Sequence, residues 1–229
     1  MSAATANPVF RLGRGILRLL IASVFRVEVE GRERIPSRGG YILVGNHLNW
    51  IDPLLLVSSF PAQPRIYFLA PGDVVLDSWW KVLIIRSFGG AVFYNRSTGI
   101  VAKEVVEGVR RVLNDGGILG IFPEGRIGDK EGELLPFHRG VGHFAVEAQA
   151  PVLPVALSGT LELYLNKPLR VRVGELFYPR IEGDSFGEQV REVTVQVEDA
   201  LRGLLEPYVE PAGVVKRWRW LTRLSLPSA

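Results

Sequence analysis

Two rhythms of apolar and polar positions run along this chain. Uninterrupted apolar runs at 41–44, 66–70, 118–122 and 151–157 are bounded by glycine, proline and polar residues. Runs of that length and setting predict strands buried on both faces. Between them the spacing turns helical. Val101, Val105, Val109 and Val112 predict a helix over about 100–114, stopped at Asn114-Asp-Gly-Gly117. A short buried helix follows Pro53, a second follows Gly140, and a third, with Trp79 and Trp80, starts near Asp77 or Ser78. Ser185-x-x-Glu188 is a capping-box pattern ahead of Val190, Val193, Val197, Leu201 and Leu204, although Val193–Val197 also alternates like a strand. A short strand is predicted within 89–94. Strict alternation at Val27–Glu30 predicts a half-exposed strand, and at Leu169–Val173 an edge strand with its arginines outward. Helices alternating with short apolar strands give the α/β class: a single layered domain with a central, mostly parallel or mixed sheet flanked by helices.

The two ends of the chain differ from this body. In residues 8–25, Arg11, Arg14 and Arg18 share one helical face, while Leu12, Ile16, Leu19, Leu20 and Val24 occupy much of the rest. The apolar stretch between Arg18 and Arg26 is far shorter than the roughly 20 residues that span a bilayer. An amphipathic helix that lies on a membrane is expected, against the alternatives of a helix packed on the domain and of a signal peptide, for which no cleavage site follows.

Charge sharpens the picture. All 24 acidic residues lie between Glu28 and Glu210, so each end carries four arginines or lysines and no acid while the centre is net negative. The closing run Lys216-Arg-Trp-Arg-Trp-Leu-Thr-Arg223 mixes cations with tryptophans, as the headgroup region of a bilayer favours. Single-stranded nucleic acid takes the same mixture, but the acidic centre argues against it. Three segments follow: residues 1–26 as an amphipathic interfacial helix, 27–210 as the folded domain, and 211–229 as a basic, aromatic tail.

Candidate chemistry gathers where apolar runs end. The chain has no cysteine, so disulfides, thiolate metal sites and cysteine nucleophiles are excluded. Its histidines are 47, 138 and 143, and the last two, five apart, are out of phase for a metal pair, so no metal site is expected. Asn46-His47 with Asp52, Asn95-Arg96, and Glu124-Gly125-Arg126 each follow an apolar run. Parallel strands would bring these turns to one sheet edge, where α/β proteins bind ligands. Asp52 could orient one nitrogen of His47 as general base, or could cap the helix that Pro53 begins. Arginine forks match phosphate, and a glycine beside Glu124 allows close approach of backbone to an anion.

At these residues the sequence resembles the glycerolipid acyltransferases, the bacterial 1-acyl-glycerol-3-phosphate acyltransferases and their relatives. Asn46, His47 and Asp52 with Pro53 match the first family motif, Val92–Arg96 the second, Phe122–Gly125 the third and Val152–Val155 the fourth. Asn49 and Asn95 stand where a serine and an aspartate are frequent, and Pro71-Gly72 where many relatives have lysine. The resemblance implies transfer of a fatty acyl group from acyl-CoA or acyl-ACP, with acyl carrier protein then a partner, to the hydroxyl of a lysophospholipid. His47 and Asp52 would be catalytic, with Asn46 beside them on the substrate side, and Arg96, Glu124 and Gly125 would bind the glycerophosphate part of the acceptor; Arg126 is added to these on grounds of charge. It implies no bound cofactor and a peripheral protein on the cytoplasmic face of the cell membrane. A transacylase independent of coenzyme A and a non-catalytic lipid-binding protein are the rival readings.

Overall fold

The computed structural model describes residues 6–72, 90–95, 102–210 and 213–224. The tryptophan-bearing helix expected near 77–85 lies outside them, as does Arg96. Seven strands form one sheet: β1 (Arg26–Glu30), β2 (Tyr41–Gly45), β3 (Ile66–Pro71), β4 (Ala91–Tyr94), β5 (Ile118–Ile121), β6 (Val152–Ser158) and β7 (Pro168–Val173). Their order is β1-β7-β6-β2-β5-β3-β4, and only the β6–β7 pair is antiparallel. Five strands therefore run the same way and deliver their C-terminal ends to one edge.

The central strands are buried on both sides because helices cover both faces. Tyr41 and Leu43 of β2 face a core shared with helices α1 (Pro8–Val24) and α2 (Asp52–Ser59). Ile42 and Val44 face the opposite core, with α3 (Lys103–Asn114), α4 (Gly140–Ala148) and α5 (Phe186–Arg202). Pleating sends alternate residues to opposite faces, so an unbroken apolar run fills two cores. Against α4, helix α5 packs at close range: a Cβ on Gly142 would run into Val190 O and Thr194 Oγ1. The capping box is formed, with the Glu188 amide donating to Ser185 Oγ at 3.3 Å and the Ser185 amide to Glu188 Oε2 at 3.1 Å. Residues 193–197 are helical; the nucleated helix continues and buries Val193 and Val197 on one side.

Strand β7 is not at the edge. It lies between β1 and β6, and the edge falls to β1. The parallel register sets Glu28 beside Arg170 and Glu30 beside Arg172, paired at 3.0 and 2.6 Å. Alternation reports which faces are dry and which are wet, not whether a strand has one hydrogen-bonded neighbour or two, so the arginines point outward in either position.

The first helix is capped by Asn7, whose side chain accepts from the Phe10 amide at 2.7 Å. Phe10, Leu17 and Ile21 pack on the core, whereas Val9, Leu12, Ile16, Leu19 and Leu20 form an exposed apolar stripe, with Leu19 at 72% exposure. Arg14 turns inward, contrary to a uniformly basic outer face. Its guanidinium donates to the carbonyls of Val57, Ser58 and Phe60, which end α2. Those carbonyls lack helical partners and carry the negative end of the helix dipole, so a cation there is favoured. Among the described residues no helix is long and apolar enough to cross a membrane.

Candidate active site

The edge formed by the ends of β2, β5 and β6 holds the candidate site. After Gly45 the chain turns tightly and enters α2 at Asp52. Asp52 does not cap that helix. Its carboxylate is fully buried and folds back over the turn, where Oδ2 accepts from the amides of Leu48 at 2.6 Å and Asn49 at 2.7 Å and from His47 Nδ1 at 2.8 Å. A buried carboxylate is tolerable with that many donors, two of them fixed in the backbone. The Asp52 amide in turn donates to Asn49 O at 3.1 Å, so the loop between histidine and aspartate is closed from both sides. With Nδ1 held, the nitrogen of His47 left for a reacting proton is Nε2.

His47 is clamped by the segment that follows β5. Its amide donates to Glu124 Oε1 at 2.8 Å, and its carbonyl accepts from the Gly128 amide at 2.7 Å. Its ring stacks on Phe122, with centroids 4.4 Å apart, and the side chain keeps 19% exposure. The other Glu124 oxygen accepts from the Leu135 amide at 2.9 Å. Both oxygens of Glu124 therefore serve backbone amides, and the carboxylate ties the histidine turn to the long loop before α4. Burial pushes the Glu124 carboxyl above the ordinary range, against the pull of the Leu135 and His47 amides.

Asn46 is also turned to backbone. Its side-chain oxygen accepts from the Leu157 amide at 2.7 Å and its nitrogen donates to Leu157 O at 2.9 Å, which fixes the end of β2 against β6. Gly125 adopts a left-handed backbone (φ 66°), and a Cβ there would come within 2.6 Å of His138 Cδ2. Its amide donates to Phe122 O at 3.1 Å. Arg126 is exposed. Asn95 follows β4, three strands from β2, a separation of about 14 Å at ordinary strand spacing.

A cavity of about 1100 Å³ reaches the histidine turn only through Phe122 and Glu124, which touch His47; His47 and Asp52 are not among its lining residues. Phe122, Glu124, Gly125 and Arg126 line it from the β5 end, Asn95 from β4, and Val105, Phe144 and Val190 from the helices. His138 and Arg139, both exposed, add two more basic side chains. In the sequence His138 stands out only as a histidine out of phase for a metal pair and Arg139 not at all; the fold brings them here by anchoring the preceding Leu135 to Glu124. The arrangement can position a general base beside a largely apolar chamber with cationic groups for an anionic ligand.

Known proteins resemble this chain in sequence and in fold. The family model described as Acyltransferase matches residues 26–158, which carry all four motifs. The 1-acyl-sn-glycerol-3-phosphate acyltransferase alpha of Homo sapiens is 29% identical over 170 residues, covering 70% of this chain and 57% of that protein. The 1-acyl-sn-glycerol-3-phosphate acyltransferase of Neisseria meningitidis is 31% identical over 149 residues, covering 65% and 54%. This chain thus spans little more than half the length of these relatives. The crystal structure of the 1-acyl-sn-glycerophosphate acyltransferase from Thermotoga maritima shares the fold, with a TM-score of 0.61, 22% identity, and coverage of 88% of this chain and 80% of that one. With a family match across more than half its length, the chain belongs to the Acyltransferase family.

Proposed function

We propose that the protein transfers a fatty acyl group from an acyl thioester, acyl-CoA or acyl-ACP, to the free hydroxyl of a lysophospholipid. The relatives' names point to 1-acyl-glycerol-3-phosphate as acceptor, giving phosphatidic acid. The observation that carries this reading is the His47–Asp52 contact at 2.8 Å, with Asp52 fixed by two further amides.

His47 Nε2 takes the proton of the acceptor hydroxyl as its oxygen attacks the thioester carbonyl. The tetrahedral intermediate collapses and expels the thiolate, which takes that proton from the imidazolium. Asp52 stabilises the imidazolium in between and fixes the tautomer. No acyl-enzyme forms.

Arg126 binds the acceptor phosphate; the family resemblance adds Gly125 and Arg96. Glu124 and Asn46, with their polar atoms on backbone groups, act as positioning residues. The apolar cavity walls take acyl chain, and α1 lays its exposed stripe on the cytoplasmic face of the membrane.

The test is acyl transfer to a panel of lyso-acceptors from both thioester donors, read by mass spectrometry, with the His47→Ala variant alongside. Turnover should fall by about 10³-fold or more with the melting temperature unchanged. Near-normal turnover in the variant removes the general-base assignment, and no transfer by the native protein from either donor removes the activity.

A further inference from the structure

The C-terminal segment has a structure that the reaction does not use. Residues 219–223 form a 3-10 turn, and only Leu221 of the 213–224 stretch is buried, in the same core as Phe10, Leu17 and Ile21 of α1. Two indoles are left outside, Trp218 at 49% exposure and Trp220 at 59%, together with Val215 and Leu224. Trp218 is moreover held in a left-handed backbone (φ 64°), which an aromatic residue adopts only at a cost. Folding gains nothing from apolar rings kept in water, so their exposure calls for something that covers them.

Position and charge say what covers them. The segment lies beside the C-terminal end of α1: the Asn166 amide donates to Val24 O at 2.7 Å, and the neighbouring Leu165 amide donates to Arg217 O at 2.9 Å. It thereby lies next to the helix whose exposed stripe runs to Leu19 and Leu20. Around this surface Arg18, Arg26, Arg217 and Arg223 are exposed, with no carboxylate partner among the described residues, whereas Lys216 and Arg219 are paired with Glu162. Unpaired arginines ringing indoles and aliphatic side chains complement the anionic headgroups and upper acyl region of a phospholipid surface. Single-stranded nucleic acid would use the indoles and arginines but has nothing to offer Val215 and Leu224.

The segment is also tied to the candidate site. Trp50, between His47 and Asp52, donates its indole N–H to Leu221 O at 3.0 Å.

We propose that residues 213–224 are a second membrane-contacting element, which lies on anionic phospholipid beside the exposed face of α1 and holds the histidine turn, through Trp50, close to the bilayer surface. The proposal rests on the acyl-transfer reading only for the benefit it confers, delivery of a membrane-embedded acceptor to His47. Membrane contact itself is measured without substrate.

The full chain is sedimented with phosphatidylcholine vesicles, with and without phosphatidylglycerol. A double variant Trp218→Ser and Trp220→Ser should lose on the order of tenfold in partitioning, and Arg217→Gln with Arg223→Gln should lose most of the phosphatidylglycerol dependence. Bromine-labelled phosphatidylcholine should quench the tryptophan emission of the native protein, and the quenched fraction should fall in the double-serine variant. If that variant fails to fold, the arginine variant and the native quenching still decide. Turnover on a vesicle-embedded lysophospholipid should drop with partitioning, while turnover on a short-chain, water-soluble acceptor stays. Native-like vesicle partitioning in both variants, or binding to a single-stranded oligonucleotide in place of vesicles, overturns the proposal. Absence of acyl transfer with vesicle binding intact overturns the activity and leaves the tail as described.

Discussion

Two places in this molecule bury a charged side chain, a carboxylate at Asp52 and an ammonium at Lys167, and they balance it differently. At the histidine turn, Asp52 is held by two backbone amides and an imidazole, so no permanent positive charge faces it. On the loops around β7, the Lys167 side chain is 1% exposed and meets Glu210 Oε2 at 2.6 Å. Glu210 also accepts from Tyr164 at 2.5 Å and Tyr208 at 3.0 Å, and both rings lie 4.7 Å from the ammonium. In the second place the charge is already balanced, so the cluster can only hold chain segments together. In the first, a carboxylate supplied with neutral donors still has charge to give when the imidazole becomes a cation. Asp52 is fully buried and the Glu210 side chain is 32% exposed, yet what each can do is set above all by the charge of its partners.

The most severe way to break this contrast is to discharge the first site without moving it. Asp52→Asn keeps an oxygen for the Leu48 and Asn49 amides but cannot stabilise an imidazolium. Turnover should fall on the order of 10³-fold, with melting within about 1 kcal/mol of native. Equal loss of turnover and stability would make Asp52 a structural residue only.

The reverse result is expected at the second site. Lys167→Met leaves Glu210 with only the more distant Lys216, at 3.6 Å, and should cost about 1–3 kcal/mol of stability by denaturant titration, with kcat little changed below the melting range. A large loss of kcat at full stability would move Lys167 into the site.

Acid sharpens the same comparison. Burial raises the Glu210 carboxyl, but hydrogen bonds from Lys167, Tyr164 and Tyr208 outweigh it and hold the group down to about 2, against 4.5 for an ordinary glutamate. A depressed carboxyl contributes stability that is whole above the unfolded value and is lost as pH falls toward the folded one. Glu124 and Glu131, both raised by burial, act in the opposite sense. The native protein and Lys167→Met should therefore differ most in stability above pH 4.5 and converge as the pH approaches 2. A constant difference across that window would show that the pair does not carry it.

The smallest effect belongs to the surface. Arg170→Gln removes a cross-strand pair with Glu28 in which both side chains are half exposed. A change of about 0.5 kcal/mol or less is expected in thermal melting. A loss comparable to that of Lys167→Met would mean that the β1–β7 seam depends on its outer charges.

Much of the fold was legible in the sequence because each strand and helix announces which of its sides is dry. The runs at 41–44, 118–122 and 151–157 became central strands, and Ser185-x-x-Glu188 became a formed capping box. The pairing of His47 with Asp52 was equally legible, since five residues on a strand-to-helix turn leave the two side chains few other places to go. Glu124 was the harder case. Its motif suggested an acceptor contact, yet its oxygens hold the amides of His47, 77 residues away, and Leu135. Arg14 is similar, a cation read as part of an outer face that instead closes the end of α2.

By itself, then, the sequence determined what is local: strand and helix periods, caps and stops, the turn that joins a base to its carboxylate, and basic ends flanking an acidic centre. Only the tertiary structure decided that β1 rather than β7 forms the edge, and that Asn46 and Glu124 spend their polar atoms on backbone. It also set Trp50 on the carbonyl of Leu221, 171 residues along the chain, joining the histidine turn to the basic tail. The division has a physical cause. A period, a cap or a tight turn is fixed by neighbours within a few residues, whereas the partner of a buried polar atom is chosen by whichever unsatisfied group the folded chain brings within about 3 Å of it.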